Sequence, residues 1–246
     1  MVSVDLNCDM GEGIGNDEEI MPFITSANIA CGFHAGDNKS MRETILLCQK
    51  HGVAVGAHPS FPDKENFGRK NIPCTDNQVF EWVQLQLKSL KEIAEAYNAT
   101  LHHVKPHGAL YNMAAVNAGM AKAIALAIKE TNDKLVVYGL SGSHLISESI
   151  KIGLKTASEV FADRTYLDEG TLTPRTEPGA LIEDEEQSVH QVLGMVSNGR
   201  VKTMSGKMIS IVANTICIHG DGKNAVAFAK RINQTLKMNS IDIKTV

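Results

Sequence analysis

Residues 5–15 read DLNCDMGEGIG, and two folds compete for them. As a glycine-rich phosphate loop after a strand they belong to an open doubly wound sheet; as a turn that swings carboxylates inward they belong to the mouth of a closed barrel. A dinucleotide loop needs G-x-G-x-x-G, and after Gly11 and Gly13 the third glycine falls due at Asn16. Asp9 and Glu12 would also repel a pyrophosphate. The glycines therefore read as a sharp backbone turn that brings acids inward. A full P-loop is absent as well: SGK at 205–207 is followed by Met208, and Val201 stands where its first glycine is required. This excludes one nucleotide-binding loop without excluding the use of ATP.

Outward from that stretch, short β-branched or apolar runs recur: VSVDLNC, SANIACG, GVAVGAH, LHHVKPH, KLVVYGL, LKTASEVFA and NTICIHG. Helical patterns lie between most of them. Over 76–97, Val79, Val83, Leu87, Leu90, Ala94 and Tyr97 keep helical spacing, with Thr75 and Gln78 as a capping box. Further helices are expected at about 39–51, 117–131, 142–152, 184–198 and 223–237, with Gly52, Gly153 and Gly199 as stops. Alternating strand and helix predicts a parallel sheet. Two stretches depart from it: 200–212 reads as a hairpin turning at Ser205 and Gly206, and 165–182 as a loop and candidate lid. No Ser-, Gly- or Pro-rich linker interrupts the chain, so residues 1–246 are expected to form one domain.

Reactive side chains follow strand after strand. Asp9 and Glu12 come after the first, His34 and Asp37 after the second, His58 after the third, and Lys105 and His107 after the fourth. Glu159, Asp163 and Arg164 attend the sixth, and His219 and Asp221 the seventh. Strand ends that converge on one face are the active-site geometry of a (β/α) barrel, so a seven-stranded, TIM-like α/β barrel is expected.

Bulk properties narrow the partners. The chain has 246 residues, 43% hydrophobic and 21% charged, enough for a large core. A net charge of −4 with scattered lysines and arginines leaves no electrostatic footprint for nucleic acid. Five cysteines without a C-x-x-C pair suggest neither a disulfide framework nor a zinc ribbon, and fit a reducing cytosol. No leader pattern and no apolar stretch of about 20 residues is seen, so a cytoplasmic protein without membrane contact is expected.

Each candidate also has a plainer reading. Asp9 and Glu12 can cap a helix or pair with a lysine, His34 can be a hydrogen-bonded structural residue, and Asp37 can cap the next helix. His51, His144 and His190 read as structural, and of His102 and His103 at most one points inward. In VKPHGALYN (104–112), Lys105 and His107 share a strand face if the strand runs on through Pro106, with Gly108 permitting the turn. A lysine facing a barrel interior needs a substrate anion or an internal carboxylate such as Asp9 or Glu159. Arg164 and Arg175 suit an anionic substrate end, although Arg175 equally suits a surface ion pair. Asn7, Asp37 and Glu159 join these arginines as candidate substrate contacts. Cys8, Cys31 and Cys217 read as buried small hydrophobes. His34, His58, His107 and His219 with Asp9 suit zinc or manganese by donor type, but no H-x-x-x-H or H-E-x-x-H groups them, and an acid/base network explains the same residues.

DLNCDMGEG, ANIACGFHAGD, GAHPSFPD, FGRK, VKPHGALYN, EVFADR, TPR and ICIHGD, spread over residues 5–221, together resemble the LamB/YcsF family. The departures are small: Thr176 stands where that family often has serine, and Lys70 where it often has arginine. The resemblance implies a barrel of the glycoside hydrolase/deacetylase type with seven strands. It also implies ATP-dependent hydrolysis of 5-oxo-L-proline to L-glutamate, with Mg-ATP as co-substrate and 5-oxoprolinase subunits B and C as partners. On that footing Lys105, Arg164 or Arg175 would bind the substrate carboxylate, while Asp9 and Glu12, or His219 and Asp221, would activate water. His34, His58 and His107 would protonate the departing nitrogen or stabilise the oxyanion. A metal-dependent deacetylase or amidohydrolase, or a non-enzymatic lactam-binding regulatory protein, are the alternatives.

Overall fold

The computed structural model describes residues 2–220 and 225–246. Its sequence of elements begins β1 (Ser3–Met10), α1 (Asp17–Ile20), β2 (Ser26–Ala30), α2 (Asn38–His51), β3 (Ala54–His58), α3 (Asp76–Ala96) and β4 (Leu101–Val104). It continues through α4 (Gly108–Val116), α5 (Ala118–Thr131), β5 (Val136–Leu140), α6 (His144–Lys151), β6 (Lys155–Phe161) and α7 (Glu185–Asn198). After the hairpin β7 (Arg200–Lys202) and β8 (Met208–Ser210) come β9 (Thr215–Ile218), α8 (Ala225–Met238) and β10 (Asp242–Ile243). Strands β1 to β6 and β9 pair in parallel, and β9 pairs back onto β1, which closes a seven-stranded barrel. β10 adds in parallel to the start of β1, and the hairpin stands apart as a two-stranded sheet. No helix among the described residues is long and apolar enough to cross a membrane.

Period-two alternation sorts each strand between two environments. On β1, Val4, Leu6, Cys8 and Met10 join the apolar layer beneath the helices. Asp5, Asn7 and Asp9, in the alternate positions, are hydrogen-bonded across the barrel interior. That interior is polar and densely hydrogen-bonded at its base. The Asp5 carboxylate accepts from Thr25 Oγ1 at 2.6 Å, Ser26 Oγ at 2.7 Å and Thr215 Oγ1 at 2.6 Å. Burial raises its pKa, and these hydroxyls partly offset the shift. One layer higher, Asn28 Nδ2 donates to Asn7 Oδ1 and Asp9 Oδ1, and Asn28 Oδ1 meets His103 Nε2 at 2.8 Å. His103 is the inward member of the histidine pair, stacked on Tyr138 at 4.1 Å between centroids.

The His103 ring fits because β3 carries no side chain opposite it. A Cβ on Gly56 would lie 2.0 Å from His103 Nε2, in a stretch where the ladder already shifts register. Gly56→Ala is expected to cost about 1–3 kcal/mol or more, because neither the ring nor the strand has room to retreat. Denaturant unfolding of the variant against the parent chain checks this.

The helices start and stop for local reasons. Thr75 with Gln78 caps α3 and Asp37 with Ser40 caps α2, each by a reciprocal capping box. Gly52 and Gly199 close α2 and α7 in the left-handed conformation. Among the described residues, α1, α4 and β10 are additions to the elements read from the sequence. α4 follows His107 directly, without a side-chain cap, and is separated from α5 by Asn117 alone. α1 and β10 are too short to show periodicity. The 165–182 segment walls the barrel mouth and is fastened to it. Arg164 Nη2 donates to Thr173 O, Ile182 N to Asp163 O, and Phe161 N to Tyr166 Oη.

Candidate active site

A cavity of about 880 Å³ opens at the C-terminal ends of the barrel strands, the size class of a small-molecule site. Asp9, Glu12, His58, Lys105, His107, Arg164, Arg175 and His219 line it. Asn7, Glu159, His34 and Asp163 support this lining through direct contacts described below. Asp37 does not join them: its side chain caps α2 on Ser40 N at 2.8 Å, beside a separate shallow groove. Asp221 lies outside the described residues.

Lys105 sits at the centre of the wall, 2% exposed. Its ammonium meets Asp9 Oδ1 and Glu159 Oε1, each at 2.9 Å, with Asn7 Oδ1 at 3.2 Å and Cys217 Sγ at 3.0 Å. The internal-carboxylate reading of this lysine is thus the arrangement the structure shows. Burial alone would lower the ammonium pKa, but Asp9, Cys217 and Glu159 outweigh it and hold Lys105 well above its ordinary value. Asp9 is the mirror case. Burial would raise it, while His58 and Lys105 hold it well below the usual carboxylate range. Glu159 lies inside β6 and is completed by Asn7 Nδ2 at 2.9 Å and Tyr111 Oη at 2.6 Å.

Three imidazoles occupy one side of the mouth. His58 Nδ1 contacts Lys105 O at 2.7 Å, His107 Nε2 contacts Phe67 O at 2.9 Å, and His34 Nε2 contacts Glu12 Oε1 at 3.1 Å. His34 and His107 stack in nearly parallel planes, 3.8 Å between centroids. Burial lowers His107 well below its ordinary value and takes His34 down to about 2. Phe67 adopts φ 55°, unusual for a residue with a Cβ, and its carbonyl is the one His107 uses. Gly108 meets a similar constraint. Its φ is 56° and a Cβ there would stand 2.5 Å from Gly68 O.

On the other side, His219 Nδ1 lies 2.9 Å from both oxygens of Asp163, and its ring stacks on Phe161. A carboxylate only accepts, so Nδ1 carries the proton and Nε2 is the nitrogen left for chemistry. Burial acts to raise the Asp163 carboxyl, but His219, with Arg175 and Arg164, holds it below its ordinary value. Arg164 is lowered to about 10 by burial, with Arg175 adding to the effect. An anion placed between these two arginines would relieve their repulsion.

Sequence reasoning leaves out several partners. Cys217, expected as a buried small hydrophobe, is buried but also stands in hydrogen-bond reach of Lys105, with its thiol pushed well above its ordinary pKa by burial. It falls on the same face of β9 as Thr215 and His219, a period-two signal that marks it as interior. Tyr111 falls one helical turn after His107, which is visible only once α4 is recognised. Asn28 carries no signal of its own, and strand alternation shows only that one of His102 and His103 can point inward; their roles come from barrel closure.

The closed, parallel seven-stranded (β/α) barrel has the fold of the deacetylase type. A solved T48 deacetylase superposes on 100% of the chain and 88% of its own, with TM-score 0.54 and 13% identity, a likeness of fold alone. The chain belongs to the LamB/YcsF family, whose pattern matches residues 4–246. It is 53% identical over 248 residues to a Brevibacillus brevis protein named as the A-type subunit of 5-oxoprolinase, covering 99% of the chain and 98% of that relative. A Bordetella parapertussis protein of the same name is 50% identical, with 98% of each chain covered. The crystal structure of a lactam utilization protein from Thermus thermophilus matches with TM-score 0.92 and 39% identity, over 99% of this chain and 100% of that one.

Proposed function

We propose that this chain is the lactam-binding, ring-opening component of an ATP-dependent 5-oxoprolinase. On this reading it works in the cytoplasm with subunits B and C, and Mg-ATP is co-substrate of the complex. The observation that carries the reading is the near-full-length identity, about half of all positions, to relatives named as the A-type subunit of 5-oxoprolinase. The acids, imidazoles and arginines gathered at the mouth are consistent with it.

A five-membered lactam is an unstrained amide, and ring closure competes with its hydrolysis. Phosphorylation of the lactam oxygen by ATP converts it into an activated imidate, a step assigned here to the complex as a whole. Arg164 and Arg175, which line the cavity, would hold the substrate carboxylate. His219, oriented by Asp163, takes a proton from water through Nε2 as the water oxygen adds to the ring carbonyl carbon. The same proton passes to the ring nitrogen, so that nitrogen leaves in preference to phosphate. The acyl phosphate that remains is cleaved by a second water to glutamate and phosphate. Lys105, fully engaged by carboxylates, fixes Asp9 and Glu159 and is not free to clamp the substrate.

Glutamate release from 5-oxo-L-proline, measured with and without Mg-ATP for the chain alone and with subunits B and C of a relative, tests the reading. ATP-dependent glutamate in the mixture is expected. Its absence in every combination rejects the assignment.

A further inference from the structure

His58 and His107 approach each other in a way their hydrogen bonds do not explain. The Lys105 and Phe67 carbonyls can only accept, so His58 Nδ1 and His107 Nε2 must carry the ring protons. In the neutral rings, the bare lone pairs are then on His58 Nε2 and His107 Nδ1. These two atoms lie 2.9 Å apart. Two lone pairs at that distance repel unless a positive centre, a proton or a metal ion, sits against both.

The surroundings favour the ion. Glu12 Oε1 lies 3.5 Å from His107 Nδ1 and 3.9 Å from His58 Nε2, and Asp9 Oδ2 lies 3.4 Å from His58 Nε2. Zinc bonds of about 2.0–2.2 Å, at tetrahedral or octahedral angles, set neighbouring donors roughly 2.9–3.6 Å apart. The three donors Glu12, His58 and His107 fall close to that range before any ion has drawn them in. The carboxylates would steady a shared proton as well, but a proton uses only the two ring nitrogens, whereas an ion also takes the Glu12 oxygen as a third donor.

The outer contacts have the same character. Ring nitrogens that bind metal commonly leave the other nitrogen donating to a carbonyl or carboxylate, which fixes the tautomer. His58 and His107 both do so, and His107 does it through a carbonyl presented by the left-handed Phe67. His34 belongs to this outer layer. Its plane is within 6° of that of His107, so its lone pairs do not converge on the same point. Its Nε2 instead donates to Glu12 Oε1. His34 Nδ1 is then a buried acceptor without a partner, the less costly kind of orphan. All three donors line the cavity, which leaves room for a further ligand on the open side.

We infer that Glu12, His58 and His107 form a binding site for a divalent transition-metal ion, with His34 and the Phe67 and Lys105 carbonyls as its outer support. Imidazole and carboxylate donors suit zinc, manganese or cobalt. Such an ion supplies Lewis-acid polarisation of an amide oxygen. The site stands on donor geometry and does not depend on the lactam assignment.

The test reads metal rather than turnover. The intact chain is stripped with a chelator and dialysed against a roughly tenfold excess of Zn²⁺ or Co²⁺, and bound metal is measured by elemental analysis. The expected result is about one ion per chain, a rise in melting temperature on loading, and visible absorption bands with Co²⁺. His58→Ala and His107→Ala are each expected to lose more affinity than the roughly 10–100-fold that loss of an outer contact costs. His34→Ala is expected to lose an amount in that range. Circular dichroism of the stripped variants separates loss of the site from loss of the fold. A folded parent chain that takes up no ion overturns the inference and leaves a shared proton between the rings. Undiminished uptake by a folded His58→Ala/His107→Ala chain overturns the placement.

Discussion

Lys105→Met is expected to destabilise the folded chain by about 3–5 kcal/mol, because it leaves two buried carboxylates facing each other without their cation. Asp9 and Glu159 are 6% and 0% exposed, and each lies 2.9 Å from the ammonium that the substitution removes. Methionine approximates the length of the lysine stem, so the loss is electrostatic rather than a cavity effect. A chain of this size should show a fall in melting temperature of roughly 6–20 °C. Lys105→Met/Glu159→Gln should recover part of the loss by removing one of the stranded charges. Equal melting temperatures for the parent chain and Lys105→Met would mean that the ion pairs contribute nothing net.

Asp163→Asn is expected to lower turnover of the assembled enzyme by about 10²–10⁴-fold with little change in KM. The substitution keeps the shape of the side chain but removes the acceptor-only partner that holds the proton on His219 Nδ1. An amide can offer its NH2 to the same nitrogen and stabilise the tautomer that cannot accept a proton at Nε2. His219→Ala should lose a similar factor, and the double variant little more than either, since the two groups act as one unit. The stability signature runs the opposite way with pH from that of a base. The Asp163 carboxyl is held below its ordinary 3.8. Its contribution is therefore present above about pH 3.8 and is lost as the pH falls through the lower folded value. The stability gap between parent and Asp163→Asn should close on acidification, which thermal unfolding from about pH 7 down to about pH 3 checks.

The barrel was legible in the sequence because its strands and helix caps carry local signals. Seven β-branched or apolar runs, the Thr75–Gln78 box and the glycine stops all act within a few residues. The position of Asp9, His58 and His219 at the mouth followed from the same order of strand ends. The pairing inside the mouth was not legible. Lys105 had two candidate carboxylates and takes both, a result decided by strand register around a closed sheet rather than by spacing along the chain. Tyr111 was hidden because α4 begins at Gly108 without a side-chain cap, so a strand and turn through Pro106 and Gly108 read equally well. Asp37, at a strand end like the others, turns outward because the backbone N–H of Ser40 offers it a cap to fill. Sequence proximity to a strand end therefore names the candidates, and closure selects among them.

Barrel closure also sets an order on synthesis. Asp5 and Thr215, whose side chains bond at 2.6 Å, are 210 residues apart in sequence. Asn7 and Lys105 likewise await Thr215 and Cys217 to complete their contacts. A nascent chain on the ribosome thus exposes the polar face of β1 until the last barrel strand, some 210 residues later, arrives as the closing seam. Contacts this distant make for slow, late consolidation and a long window in which open strand edges are exposed to aggregation. Chains that stop short of residue 215 should be recognised as unfinished and degraded, and the cell's demand for chaperones during expression should track the delay before that seam is made.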